Sequence, residues 1–115
     1  MKVHELAITQ SMFEIVLQQA EQARAKKVTK INLVIGAMTG VVSDSVQFYL
    51  DFMTKDTIAE GAAVAFTMVP ARAKCRSCNQ LFDTAEFNWT CPHCQGNIID
   101  IVAGKELFVE SIEVE

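Results

Sequence analysis

The chain has 115 residues, a length that one main hydrophobic core with a small satellite can serve. Half of its residues are apolar and 21% are charged, which is the balance of a globular protein and excludes a disordered or fibrous one. The net charge of -4, lowered by a further two if four thiolates hold one divalent ion, argues against binding to a phosphate backbone and so against nucleic acid as a partner.

No run of apolar residues is long enough to cross a membrane, and Met1-Lys2-Val3-His4-Glu5 places a carboxylate where an export signal would begin its apolar stretch. The expectation is a cytoplasmic protein with no membrane segment, whose thiols stay reduced.

From about Glu5 to Ala25, the residues Leu6, Phe13, Val16, Leu17 and Ala20 fall largely on one helical face, with Gln10, Glu14, Gln18, Glu21 and Gln22 among the polar positions. This predicts an amphipathic helix. Residues 28–35 read as a strand that puts Ile31, Leu33 and Ile35 on one side, with Gly36 as punctuation. Past a loop containing Gly40, Ser43 is the expected N-cap of a second helix, Asp44 lies in its first turn, and Val46, Tyr49, Leu50 and Met53 recur at helical spacing until about Lys55. Glu60-Gly61 makes a break, residues 63–69 suit a strand, and Pro70 closes it. Beyond the cysteine segment, Gly96 marks a turn and residues 98–102 are apolar and partly β-branched. Residues 107–114 resume strand character after Gly104, and their apolar phase changes between Val109 and Ile112, which predicts a bulge.

The predicted fold class is α+β. A small mixed three-stranded sheet carries two helices on one face, with the second helix crossing between two parallel strands and the last strand returning antiparallel. A zinc-ribbon-like domain, residues 73–96, is inserted between the main-body segments 1–72 and 97–115.

Cys75-Arg76-Ser77-Cys78 and Cys91-Pro92-His93-Cys94 are separated by twelve residues, a spacing at which two knuckles can bring four sulfurs into a tetrahedron with little loop strain. All-sulfur tetrahedral sites suit zinc or iron, and zinc adds stability without redox chemistry. Such a site has no open position, so it is structural. Two redox-active dithiols are the competing reading, but the Gly- and Pro-flanked knuckles lack the helix N-terminus that would activate a thiolate. Phe82, Phe87 and Trp89 between the knuckles are expected to pack as a satellite core around the metal; stacking on single-stranded nucleic acid is the alternative, against which Asp83, Glu86 and the site's own charge weigh.

The chain has two histidines. His4 stands near the terminus, where an imidazole and deprotonated backbone amides can bind nickel or copper, although a solvated residue is the commoner meaning of such a histidine. His93 is expected at the surface; replacing a cysteine on zinc at acid pH and offering nickel a second imidazole are its two alternative uses.

His4-Glu5-Leu6 opening the first helix, Ile35-Gly36 closing a strand, residues 43–52 as the second helix, Glu60-Gly61 before the next strand and the paired Cys-x-x-Cys knuckles together resemble the HypA (HybF-like) hydrogenase-maturation family over essentially the whole chain. The resemblance implies a nickel metallochaperone that binds Ni(II) and delivers it to the large subunit of [NiFe]-hydrogenase, working with a HypB-type GTPase; some members also serve urease. It makes residues 1–72 and 97–115 the nickel-binding domain and implies no enzymatic activity. The family's nickel-binding histidine matches His4, with Glu5 as a neighbouring donor, and its zinc ligands match Cys75, Cys78, Cys91 and Cys94.

The chain departs from the family's Met-His-Glu motif in carrying Lys2 and Val3 between Met1 and the histidine. The nickel plane can then use the His4 imidazole and the His4 and Glu5 backbone nitrogens, with Glu5, Asp44 or the displaced amine as a further donor. Monomer and homodimer both remain open. The alternative to nickel transfer is a zinc-ribbon adaptor that only binds proteins. An enzyme is disfavoured, because the sequence holds no Ser/His/Asp set and no phosphate-cradling glycine loop.

Overall fold

The structure is a computed structural model that describes the backbone of residues 2–84 and 90–115 and the side chains of residues 5–84 and 90–115. Helix α1 spans Lys2–Gln22, longer at its start than the apolar pattern alone predicts. Its buried stripe is Glu5, Thr9, Met12, Phe13, Val16 and Ala20, at spacings of three and four. Leu6, expected on the core face, is exposed, while its neighbour Glu5 and Thr9, one helical turn on, are buried and polar. The helix stops at a Schellman-type turn. Arg24 takes a left-handed φ of 53°, and the N–H groups of Arg24 and Ala25 donate to the carbonyls of Glu21 and Ala20.

Strand β1, Val28–Gly36, is the centre of a mixed sheet in which β2, Ala63–Val69, pairs with it in parallel and β6, Leu107–Val114, pairs antiparallel. Helix α2, Ser43–Met53, lies in the connection from β1 to β2, as parallel pairing requires. Ile31, Leu33 and Ile35 are fully buried and form one core with Val16, Ala20, Val46 and Leu50. Opposite them, Asn32 faces Ser111 while Leu33 faces Val109, so Glu110 is the extra residue of a bulge. The bulge resets the pleat, and Leu107, Val109 and Ile112 all reach the same core despite their broken alternation.

Helix α2 begins one residue earlier than expected. Its N-cap is Val42, not Ser43: the Val42 carbonyl accepts the N–H groups of Ser45 and Val46, and no side-chain cap is made. Its outer face shows Phe48 and Phe52 edge to face at 5.1 Å, with the Lys55 ammonium 5.2 Å from the Phe52 ring centre.

Three shorter strands form a second, antiparallel sheet in the order β4-β3-β5, with β3 at Arg72–Cys75, β4 at Leu81–Asp83 and β5 at Ile99–Ala103. Its core is separate: Ala73, Cys75, Phe82 and Cys91, backed by Ile99 and Ile101. The radius of gyration is 17.6 Å, against about 13 Å for a compact chain of this length, so the two bodies lie end to end. Among the described residues no helix is long and apolar enough to cross a membrane.

Both connections between the bodies pass the end of β1. Gly36 donates its N–H to the Glu106 carbonyl at 2.6 Å, and Met38 donates to the Gly104 carbonyl at 2.7 Å. A Cβ on Gly36 would run into the Gly104 carbonyl and come within 2.7 Å of the Glu106 nitrogen, all of it backbone that cannot swing away. Gly36→Ala should therefore lower stability by about 3 kcal/mol, as overpacking against fixed atoms does. Urea unfolding monitored by circular dichroism measures this, and an unchanged midpoint would mean that the crossing is looser than the contact distances indicate.

Candidate metal centre

Each Cys-x-x-Cys pair is a tight turn, and the two turns share one hydrogen-bond pattern. The first cysteine donates its N–H to the carbonyl five residues on, Cys75 to Gln80 and Cys91 to Gly96. Its own carbonyl accepts from the residue four on, Asn79 and Gln95 respectively. Asn79 and Gln95 both take a left-handed φ of 61°, which turns the chain back after each pair.

The turns bring all four sulfurs within 4.8 Å of one another. Cys75 Sγ lies 3.5 Å from Cys94 Sγ, and Cys78 Sγ lies 3.6 Å from Cys91 Sγ. A disulfide needs about 2 Å, so the cysteines are free. A zinc ion with bonds of about 2.3 Å sets its four sulfurs about 3.8 Å apart, which the cluster matches closely. Cys75 and Cys91 are buried, Cys78 is half-buried and Cys94 is exposed, so one side of the cluster faces solvent.

The backbone favours negative charge at the first sulfur of each pair. The Cys78 N–H, with smaller help from the Cys94 sulfur and the Ser77 N–H, overcomes burial and holds the Cys75 thiol down at about 6. Burial pushes the Cys91 thiol up, but the N–H groups of Cys94 and His93 outweigh it and the net displacement is downward. The second sulfurs behave oppositely. The Gln80 N–H pulls the Cys78 thiol down, yet burial and the other three sulfurs drive it up to about 12. Cys94 is raised in the same way, against the Gly96 N–H, by the Cys75 sulfur and by burial. Four thiolates this close repel unless a cation sits among them, so an all-sulfur, tetrahedral donor set with N–H groups directed at the sulfurs fits a soft divalent ion.

The sequence reading missed what Gly96 does here. A Cβ at that position would lie 3.3 Å from Cys94 Sγ, 3.4 Å from Ser77 Oγ and 3.6 Å from Cys75 Sγ, so the glycine closes one wall of the cluster as well as making a turn. Arg76, inside the first knuckle, ties the cluster to β5: its Nε and Nη2 fork onto the Asp100 carboxylate at 2.8–3.1 Å, and its N–H donates to the Ile98 carbonyl. Hydrogen bonding and the charge of Arg76 hold the Asp100 carboxyl below its usual range, so this tie is present at neutral pH and is lost only as pH falls through that lowered value.

Phe82 is buried behind the cysteines, while Phe87 and Trp89 lie outside the described residues. His93 is exposed; its N–H donates to Cys91 Sγ at 3.4 Å, and it is not part of the clustered donor set. The backbone of His4 belongs to the first turn of α1, but its side chain is outside the described ones. Glu5 is buried, and its Oε2 accepts the Val42 N–H at 2.8 Å. Asp44 is exposed at the start of α2.

Together these features define a class: a small α+β protein whose three-stranded sheet is interrupted, between β2 and β6, by a four-cysteine module with the geometry of a metal site. The sequence profile of HypA, described as hydrogenase/urease nickel incorporation, metallochaperone, matches residues 3–114, and the chain belongs to this family. Hydrogenase maturation factor HypA of Caldanaerobacter subterraneus subsp. tengcongensis is 46% identical over 115 aligned residues, covering 98% of this chain and all of the relative. A solution structure of HypA protein superposes with a TM-score of 0.73 at 16% identity, covering 98% of this chain and 97% of that one. The solution structure of the Ni metallochaperone HypA from Helicobacter pylori gives 0.64 at 20% identity, covering 96% of each. The expected α+β fold is the one these structures share.

Cys91→Ser should reduce bound metal from about one ion per chain to well under half, because a tetrahedral structural site fails with one donor lost. Elemental analysis after exhaustive dialysis checks it, with circular dichroism expected to show α1 and α2 intact; undiminished metal content would rule out the four-sulfur site.

Proposed function

We propose that this protein is a nickel metallochaperone that binds Ni(II) and delivers it during maturation of [NiFe]-hydrogenase, while Cys75, Cys78, Cys91 and Cys94 hold a structural Zn(II). The observation that carries the reading is family membership across residues 3–114, a span that takes in both His4 and the four-cysteine module. The Helicobacter pylori neighbour, named as a Ni metallochaperone, and the relatives named as maturation factors support it. Zinc supplies cross-linking and no redox chemistry. Nickel is cargo.

Ni(II) is taken up at the terminus by the His4 imidazole and backbone nitrogens of His4 and Glu5. In a helix that begins at Lys2, the His4 N–H is among the first four, which have no acceptor within the helix, so its backbone is available. A terminal turn of this kind holds a square-planar ion and can release it, which a closed tetrahedral site does not. Residues 1–72 and 97–115 serve as the nickel-binding domain and 73–96 as the zinc insert, with β5 of the second segment pairing with β3 and lending Ile99 and Ile101 to the core beside the cysteines. The acceptors of the metal are the hydrogenase large subunit and, through accessory proteins, urease. A HypB-type GTPase is the working partner, the compartment is the cytoplasm, and the protein itself catalyses no reaction.

Calorimetric titration of nickel into zinc-loaded protein, with His4→Ala alongside and elemental analysis of zinc throughout, tests the proposal. About one nickel per chain in the wild type and none bound tightly in His4→Ala, with zinc and fold unchanged, is the expected result. Equal nickel binding by both proteins would remove His4 from the site, and no tight binding by the wild type would leave a zinc-ribbon adaptor.

A further inference from the structure

Helix α2 begins without a cap of its own. Its N-cap residue, Val42, has no side-chain acceptor, and no side-chain cap bond is made. In a capping box, a Glu or Gln at the third helical position reaches back to accept the N-cap N–H. That position here is Ser45, and the Val42 N–H goes instead to Glu5 Oε2 on α1, 37 residues away in sequence, at 2.8 Å. Glu5 thus does for α2, from another helix, what a capping-box glutamate does within one.

The surroundings of Glu5 fit this role. It is only 7% exposed, its backbone carbonyl accepts the hydroxyl of the fully buried Thr9 at 2.6 Å, and none of the ion pairs among the described residues includes it. A carboxylate buried without a cation is costly unless its oxygens are hydrogen-bonded, and a negative charge is favoured at a helix N-terminus. The loop it grips is itself held. Val41 donates its N–H to Thr39 Oγ1, and that hydroxyl donates to the Gly36 carbonyl at the end of β1.

We infer that Glu5 is a positioning residue for the nickel terminus and that its carboxylate is not a nickel ligand. Its bond to the Val42 N–H fixes the first turn of α1, and with it the backbone of the adjacent His4, against the start of α2. Removing the acceptor frees that turn; keeping an oxygen acceptor without the charge preserves it. This inference rests on the nickel-carrying reading above.

The test compares the wild type, Glu5→Gln and Glu5→Ala as full-length, zinc-loaded protein, by calorimetry with Ni(II) alone and by amide hydrogen exchange of Val42 in nickel-free protein. The glutamine side-chain oxygen can still accept the Val42 N–H, so Glu5→Gln should keep that amide protected and bind nickel within about threefold of the wild type. Loss of a hydrogen bond to a charged group is worth about tenfold or more, so Glu5→Ala should weaken nickel binding by about that factor and expose the Val42 amide. Glu5→Gln losing nickel as Glu5→Ala does, with Val42 still protected, would make the carboxylate a ligand and overturn the inference; so would wild-type affinity in Glu5→Ala. A wild type that binds no nickel defeats the nickel-carrying reading, and with it the terminus that Glu5 is inferred to position. The Val42 amide in nickel-free protein then still reports separately whether Glu5 anchors α1 to α2.

Discussion

The chain leaves its main sheet after β2 and returns to it at β6, and both crossings must pass the end of the central strand β1. That passage is possible because Gly36 has no side chain. Its N–H binds Glu106 and the nearby Met38 N–H binds Gly104, so the returning connection is held to the end of β1 by backbone groups alone. The separation into two cores, the elongated shape and the fixed loop that leads into α2 all depend on this crossing.

The two metal roles assigned to the chain make opposite physical demands. A resident ion that supports a fold is best enclosed by four anionic donors with N–H groups arranged around them, and each knuckle turns its backbone toward its sulfurs in that way. A transported ion needs fewer and weaker donors near solvent. The proposed assignment puts the first on a rigid pair of turns and the second at a helix start, an arrangement in which one small chain meets both demands without a shared ligand.

Much of this was legible in the sequence. Ile31, Leu33 and Ile35 alternate as a half-buried strand must, the broken phase between Val109 and Ile112 brackets the bulge that the pairing puts at Glu110, and the Cys-x-x-Cys spacing brought the right four residues together. What escaped the pattern was set by contacts distant in sequence. Ser43 has the chemistry of an N-cap, but Val42 takes the place because its N–H finds Glu5 on α1. Leu6 reads as core and is exposed, while its neighbour Glu5 is buried and accepts a hydrogen bond from the start of α2. Gly36, Gly96 and Gly104 read as turns and breaks; only the fold reveals which backbone or sulfur each one admits.

The two knuckles repeat each other down to the left-handed residue after the second cysteine. Neither is a large enough unit to hold shape alone, since each is a single short turn, and joining the ends of the stretch between them, which includes β4, is a loop closure that costs chain entropy. Four sulfurs on one ion close that loop once, at a single point shared equally by both halves. The module is therefore a clasp made of two matching parts, and damage to either half opens the whole of it.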